Sequence, residues 1–366
     1  MQSTLNPAAQ KRASIGIFSY GLPRTDKKRG GFERVTHDQA QGLAKLGYKV
    51  TVWTYDPKPQ NALYEVRALP WKKFYRGAMG PRFLMGYLGN VLAILPSYKG
   101  MDLLIAHGDS LLMPILGKPL IRVMHGSALE EAKKATGWIR WAHQMGVYLL
   151  ERLTARLQSG SVAVSQNTLE SLPAIKKVIP NGVDLDSFHW NPEDKTTKPS
   201  LLFVGALGGR KRGSLALDWF REKIQPAVPD AELHMVSDNG PRLNGVHYHY
   251  GIDDNFLAKL YRTAWVYISP SSYEGFGLPY LEAMASGTPV VATPNPGSLE
   301  VLGNGQYGLL PDDTNFSNEV IQLLTQSNLR DHWTQIGLKR CREYSLELMA
   351  QRYSEQIGRA SCRERV

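Results

Sequence analysis

Cysteine is nearly absent from the 366-residue sequence. Cys341 and Cys362 stand far apart and outside any metal-like pattern. That excludes a disulfide framework as an expectation and fits a reducing compartment. No apolar run reaches the roughly 18 residues that cross a bilayer. The longest, Phe83 to Pro96, is interrupted by two glycines and Asn90 and reads as a buried helix. Lys11 and Arg12 are not joined to an apolar segment with a cleavage site, so no secretory signal is expected. No Gly-x-Gly-x-x-Gly follows the first β-rich run, which argues against a dehydrogenase. No helix-turn-helix, zinc-finger or RNP pattern is present either, so nucleic acid is not an expected partner.

What is there belongs to a globular protein: 43% hydrophobic and 21% charged residues, in a length that suits two domains. The charge is uneven. Residues 1–183 carry 25 Lys and Arg against 11 Asp and Glu, whereas residues 184–366 carry 18 against 22. A basic first half suggests an anionic membrane surface or an anionic acceptor as its partner.

The first half alternates β-rich runs (Ser14–Ser19, Lys49–Thr54, Leu103–Ala106, Leu120–Met124, Ser161–Val164) with helical patterns such as Phe32 to Leu46, which Gly47 stops. The rhythm restarts at Leu201–Val204 and continues through Glu232–Val236, Val266–Ser269 and Pro289–Ala292. Residues 184–200, rich in Pro, Asp, Asn and Lys, read as the linker. The expected divisions are 1–183, 184–200, 201–344 and a terminal helix 345–356. Two doubly wound α/β domains would face each other across a cleft, with ligands at the carboxyl ends of both sheets.

One segment concentrates chemistry, Ser269-Pro-Ser-Ser-Tyr-Glu-Gly-Phe-Gly-Leu-Pro-Tyr-Leu-Glu-Ala-Met-Ala-Ser-Gly287. A strand ends at Ser269, glycines let the Glu274–Gly277 loop approach a ligand, Pro279 suits a first helical position and Gly287 a C′ position. Glu274 and Glu282 then reach one ligand from two directions, with amides around Gly277 to Tyr280 at the helix mouth forming an anion site. Spacing alone equally allows a glycine turn ahead of a surface helix with solvated glutamates.

The segment resembles the E-x7-E motif of GT-B retaining glycosyltransferases of the family 4 (group 1) type, which includes many polysaccharide and glycolipid enzymes of the cell envelope. Five further stretches match in order: Gly30-Gly31-Phe-Glu-Arg, His125-Gly126, Ile179-Pro-Asn-Gly-Val-Asp184, Phe203-Val-Gly-Ala-Leu with Arg210-Lys211, and Leu260-Tyr-Arg-Thr-Ala264. The resemblance covers roughly Ser14 to Gln356. It implies two Rossmann-like domains and transfer of a hexose, with retention of configuration, from a UDP- or GDP-sugar to a glycan or lipid-linked acceptor. It implies that Glu282 holds the donor ribose. Glu274 and the amides of Gly275, Phe276, Gly277 and Leu278 contact sugar and diphosphate. Arg210 and Lys211 neutralise the leaving diphosphate, Gly30 and Gly31 approach it from the first domain, and His125 faces the transferred sugar. No metal or other cofactor is implied, and no protein nucleophile stands out. A phosphorylase, a nucleotide-sugar epimerase or a non-catalytic sugar-binding protein remains open on the same fold. One position departs: Ala206 stands where the family often has Arg, leaving the phosphate grip to Arg210, Lys211 or Arg212.

Other signals are weaker. Asp184-Leu-Asp186 fits a metal-binding DxD but follows a linker-like proline. His247-x-His249 would share one strand face, and the sequence spaces no third ligand nearby. Trp71 to Arg76 and Lys133 to Trp141 mix basic and aromatic residues, so peripheral contact of a cytoplasmic protein with the inner membrane face is expected. The last ten residues, IGRASCRERV, resemble a translated sequencing adaptor rather than protein; a genuine basic tail is the alternative. On the first reading the natural chain continues past Gln356.

Overall fold

The computed structural model describes residues 12–24, 31–70, 89–108, 110–133, 135, 137–158 and 160–363, with side chains up to 360. Gly30, the Trp71–Arg76 patch and residues 83–88 of the Phe83–Pro96 run lie outside the described residues.

The chain forms two parallel sheets, each flanked by helices, in a GT-B arrangement. The first contains β1 (Ser14–Phe18), β2 (Lys49–Thr54), β3 (Glu65–Ala68), β4 (Leu103–His107), β5 (Leu120–Met124) and β6 (Val162–Ala163), ordered β3-β2-β1-β4-β5-β6. β4 and β5 are buried along their whole length, as strands covered on both faces must be, which is why they read as unbroken apolar runs. The exceptions are two buried polar residues, His107 at the end of β4 and Arg122 inside β5. Between β1 and β2 runs α1 (Gly31–Lys45), which buries Val35, Gln39, Ala40 and Leu43. Gly47, at φ +88°, lets the chain leave the helix into β2.

After β5 come α2 (Ala128–Lys133) and α3 (Trp138–Leu157). α3 leaves Trp138 78% and Leu149 62% exposed, with Ile139, Leu153 and Leu157 likewise open to solvent. The basic and aromatic patch read from the sequence, Lys133 to Trp141, overlaps only the start of this helix.

The second sheet contains β7 (Ser200–Val204), β8 (Glu232–Val236), β9 (Val246–His249), β10 (Val266–Ser269) and β11 (Val290–Ala292), ordered β11-β10-β7-β8-β9. α4 (Asp254–Thr263) precedes β10, and α5 (Leu278–Ala285) follows it. Pro279 sits in the first turn of α5, and Gly287, at φ +66°, takes the chain out of it. In both sheets the order reverses beside the first strand, between β1 and β4 and between β7 and β10. Crevices open at such reversals because neighbouring connections run to opposite faces.

The chain passes between the sheets twice, and the two passages bond to each other. Val183 N donates to Tyr344 O at 2.7 Å and Leu346 N to Val183 O at 3.3 Å. The last helix, α6 (Leu346–Arg363), then returns to pack on α1, where Gly42 faces Ala350 and Tyr48 Oη lies 2.7 Å from Ser354 Oγ. This helix extends to Arg363, into the last ten residues of the sequence, and Ile357 is buried within it.

Candidate functional site

The reversal in the second sheet brings two loops together. The loop after β7 supplies Arg210 and Lys211; the loop after β10 supplies Glu274. Ser272 N donates to Arg210 O at 2.8 Å, and Arg210 Nη1 donates to Tyr273 O at 2.9 Å, so backbone and side chain tie one loop to the other. Glu274, 6% exposed, accepts from Lys211 Nζ at 2.5 Å on Oε1 and from Arg210 Nη1 at 3.1 Å on Oε2. Two cations are thereby held on one nearly buried carboxylate. The stem of Lys211 lies against Gly205, where a Cβ would come within 2.9 Å of it. Arg212 is engaged elsewhere: its guanidinium holds Asp313 at 2.9 and 2.6 Å. Of the three basic residues near Ala206, only Arg210 and Lys211 join Glu274.

These loops face the first domain across a cleft of about 610 Å³. Gly31, His125, Arg210, Lys211, Glu274, Gly275, Phe276, Gly277 and Leu278 all line it, as does Ala206. Gly275 marks a close approach of the two domains, since a Cβ there would lie 2.9 Å from the His125 carbonyl oxygen. Gly277 turns into α5 with φ +104°, a conformation open to glycine. Tyr280 N is spent on Gly277 O at 3.0 Å and Pro279 has no N–H. The amides left open to a ligand at this mouth are therefore those from Gly275 to Leu278 rather than from Gly277 to Tyr280.

Glu282 is not among the cleft-lining residues. It is 5% exposed, and Arg34 Nη1 from α1 of the first domain holds its Oε1 at 2.5 Å. Tyr261, fully buried nearby, has its hydroxyl pushed well above the ordinary range by burial and then by the Glu282 carboxylate.

His125 belongs to a chain that spacing did not reveal. Its Nε2 lies 2.8 Å from His107 Nδ1, and His107 Nε2 lies 2.7 Å from Gln39 Oε1. An amide oxygen only accepts, so His107 carries its proton on Nε2 and His125 donates from Nε2 to His107 Nδ1. Burial, then the Arg122 charge, lowers His125 to about 4; burial, then His125, puts His107 well below its usual value. Both rings are neutral at neutral pH. His125 therefore presents a neutral hydrogen-bonding ring to the cleft, with Phe32 edge-on at 5.0 Å. Neutral burial has a cost in acid. Because the unfolded rings take up protons below about pH 6.5 and the folded ones do not, stability is expected to fall as pH drops from there toward 4. Urea-unfolding midpoints should decline over that window more steeply in the wild type than in His125→Gln. Parallel declines would contradict the assignment.

A second hollow of about 420 Å³ adjoins the cleft, sharing Phe32, His125, Arg210 and Gly275 and extending to Arg122, Ser127, Gln144 and Glu151. The His247–His249 pair does gain a third histidine, which sequence spacing had missed. Parallel register sets His234 opposite His247, and His234 Nδ1 lies 3.0 Å from His249 Nε2. Among the described residues no group of three His, Cys, Asp or Glu is placed to hold a metal ion. Asp184 accepts from Asp186 N at 3.0 Å and from Ser187 Oγ at 2.7 Å, closing a turn.

Comparison with known proteins gives two family matches, "Glycosyltransferase Family 4" over residues 29–187 and "Glycosyl transferases group 1" over residues 198–326. The chain is 34% identical over 119 residues to O-antigen chain mannosyltransferase B of Escherichia coli, covering 32% of this chain and 31% of that one. It is 28% identical over 211 residues to the phosphatidyl-myo-inositol mannosyltransferase of Mycobacterium leprae (strain TN), covering 52% and 56%. The chain thus spans about a third to just over half the length of these relatives. Among solved structures, sucrose-phosphate synthase of Thermosynechococcus elongatus superposes with a TM-score of 0.72 at 19% identity, covering 95% of this chain and 99% of that one. Anabaena Alr3699/HepE in complex with UDP and glucose superposes with a TM-score of 0.71 at 16% identity, covering 95% and 100%.

Proposed function

Because the chain belongs to the family 4, group 1 glycosyltransferases of GT-B fold, we propose that it moves a hexose from a UDP- or GDP-sugar to a glycan or lipid-linked acceptor, retaining anomeric configuration. The observation that carries this reading is the pair Lys211 and Arg210, gathered on Glu274 in a cleft that His125 closes from the other domain. Breaking the sugar–diphosphate bond leaves its negative charge on the departing diphosphate. Preorganised cations and amides at that point lower the barrier without reorganising in the transition state. Lys211, Arg210 and the Gly275–Leu278 amides are the groups we assign to that charge, with the Gly31 end of α1 approaching from the first domain. They serve where other enzymes use a metal, so the proposed reaction is metal-independent. Glu282 is assigned to the ribose hydroxyls and His125, neutral, to the sugar. Glu274 is engaged by two cations and is not placed as a nucleophile, so the two-carboxylate scheme of glycosidases is not adopted.

The adjoining hollow is the proposed acceptor side, where Gln144, Glu151 and Arg122 mix donors and acceptors as sugar hydroxyls require. Support for the ligand classes comes from the UDP and glucose bound by HepE and from relatives named as mannosyltransferases, one acting on phosphatidyl-myo-inositol. Anomeric configuration of the product, read by proton NMR couplings, tests retention; an inverted product would refute that part.

Peripheral contact with the inner membrane face of a cytoplasmic protein is the proposed setting. Among the described residues no helix is long and apolar enough to cross a membrane. On α3, Gln144, Val147 and Glu151 line the hollow, while Ile139, Leu149, Leu153 and Leu157 point the opposite way, flanked by the exposed Arg152 and Arg156. Leu149→Asp with Leu153→Asp is expected to abolish flotation with anionic vesicles. Equal flotation of variant and wild type would refute the contact.

A further inference from the structure

Arg34 starts in one domain and ends in the other. It lies on α1, yet its Nη1 reaches Glu282 on α5, 248 residues away, at 2.5 Å. Its Nε is 3.8 Å from Asp38, one turn along α1. Its guanidinium carbon stands 4.8 Å from the ring centroid of Phe188, a fully buried residue just after the first passage between domains. Phe188 in turn meets Tyr261 of α4 edge-on at 5.7 Å. One guanidinium therefore ties α1 to the connection and to α5, with α4 reached through Phe188.

The pair is buried, with side chains 15% and 6% exposed, so each charge depends on the other for compensation. A carboxylate has two oxygens and several lone pairs. Engagement of Oε1 by Arg34 leaves Glu282 able to accept from other donors, and it fixes the plane in which the carboxylate lies. We infer that Arg34 is a positioning residue that holds Glu282 for the diol of the donor's ribose, making ribose recognition by the second domain depend on the docked first domain. This rests on the reading of Glu282 as the ribose anchor.

The test is calorimetric binding of UDP and GDP to the full chain, beside the corresponding 2′,3′-dideoxy diphosphates, with steady-state kinetics on the donor found active. Arg34→Gln is expected to weaken ribonucleotide binding and raise donor KM about tenfold, the loss of a charge-assisted hydrogen bond. Its kcat should stay within about threefold and its dideoxynucleotide binding should match the wild type, because the phosphate groups are untouched. Arg34→Lys, which keeps the charge without the planar fork, should fall between. An Arg34→Gln protein that prefers the ribonucleotide as strongly as the wild type overturns the inference; so does equal weakening toward both nucleotide types. If Arg34→Gln does not fold, the same comparison is made with Arg34→Lys, where undiminished preference overturns the inference. Glu282→Ala separates the two layers. If it retains the ribonucleotide preference, the ribose-anchor reading itself is wrong. If it loses the preference while the Arg34 variants keep it, only the inference about Arg34 fails.

Discussion

Lys211→Met is expected to lower kcat by about 10²- to 10³-fold while donor KM stays within about threefold. Methionine keeps most of the stem that lies against Gly205 and removes only the ammonium, so folding is not the variable. That ammonium is already paired with Glu274 at 2.5 Å, so its gain from a bound substrate diphosphate is correspondingly small. When the sugar–phosphate bond breaks, extra charge appears on the diphosphate and the balance shifts toward Lys211. An interaction that strengthens only then acts on kcat rather than KM. Steady-state kinetics with saturating acceptor distinguish the cases. A raised KM with unchanged kcat would make Lys211 a ground-state binder and refute its assigned role.

Glu274→Gln is expected to produce an opposed pair of effects. Turnover should fall about 10²-fold, because the carboxylate that orders Arg210, Lys211 and the loop toward the sugar is gone. Binding of the nucleoside diphosphate product should tighten by about threefold or more, because Arg210 and Lys211 no longer have Glu274 competing for them. The sign follows from the two contacts at 2.5 and 3.1 Å. Weaker product binding alongside lower turnover would mean that Glu274 scaffolds the loop rather than balancing its charge.

Much of the fold was legible in the sequence because the central strands of both sheets are buried and announce themselves as short apolar runs. The β3 strand Glu-Val-Arg-Ala was not, since it is a mostly exposed edge strand without such a run. α3 escaped for the opposite reason: its apolar stripe is open to solvent, so periodicity did not mark a core-facing helix. In the candidate site, local motifs found the loop around Glu274 and the residues facing it. They could not find contacts made by topology. His107 reaches His125 because β4 and β5 are neighbours, His234 reaches His249 across β8 and β9, and Arg34 meets Glu282 only because the domains close on each other. Motif position likewise gave no sign of the buried pair that Glu282 makes with Arg34. Ala206 pointed to a weak place in the phosphate grip. Geometry narrows the compensating residues to two, because Arg212 is committed to Asp313.

Acceptor-dependent transfer from a nucleotide sugar in the cleft between the domains would leave a distinct signature in nucleotide release. The most direct test incubates the full chain with a panel of UDP- and GDP-sugars, with and without glycan and lipid-linked acceptors, and measures released nucleoside diphosphate. Release from at least one donor is expected only when an acceptor is present, and it should fall at least about 10²-fold in Lys211→Met. Sugar interconversion without release would indicate an epimerase, sugar-1-phosphate formation from a glycan and phosphate a phosphorylase, and binding without turnover a sugar-binding protein. Each of these would contradict the account.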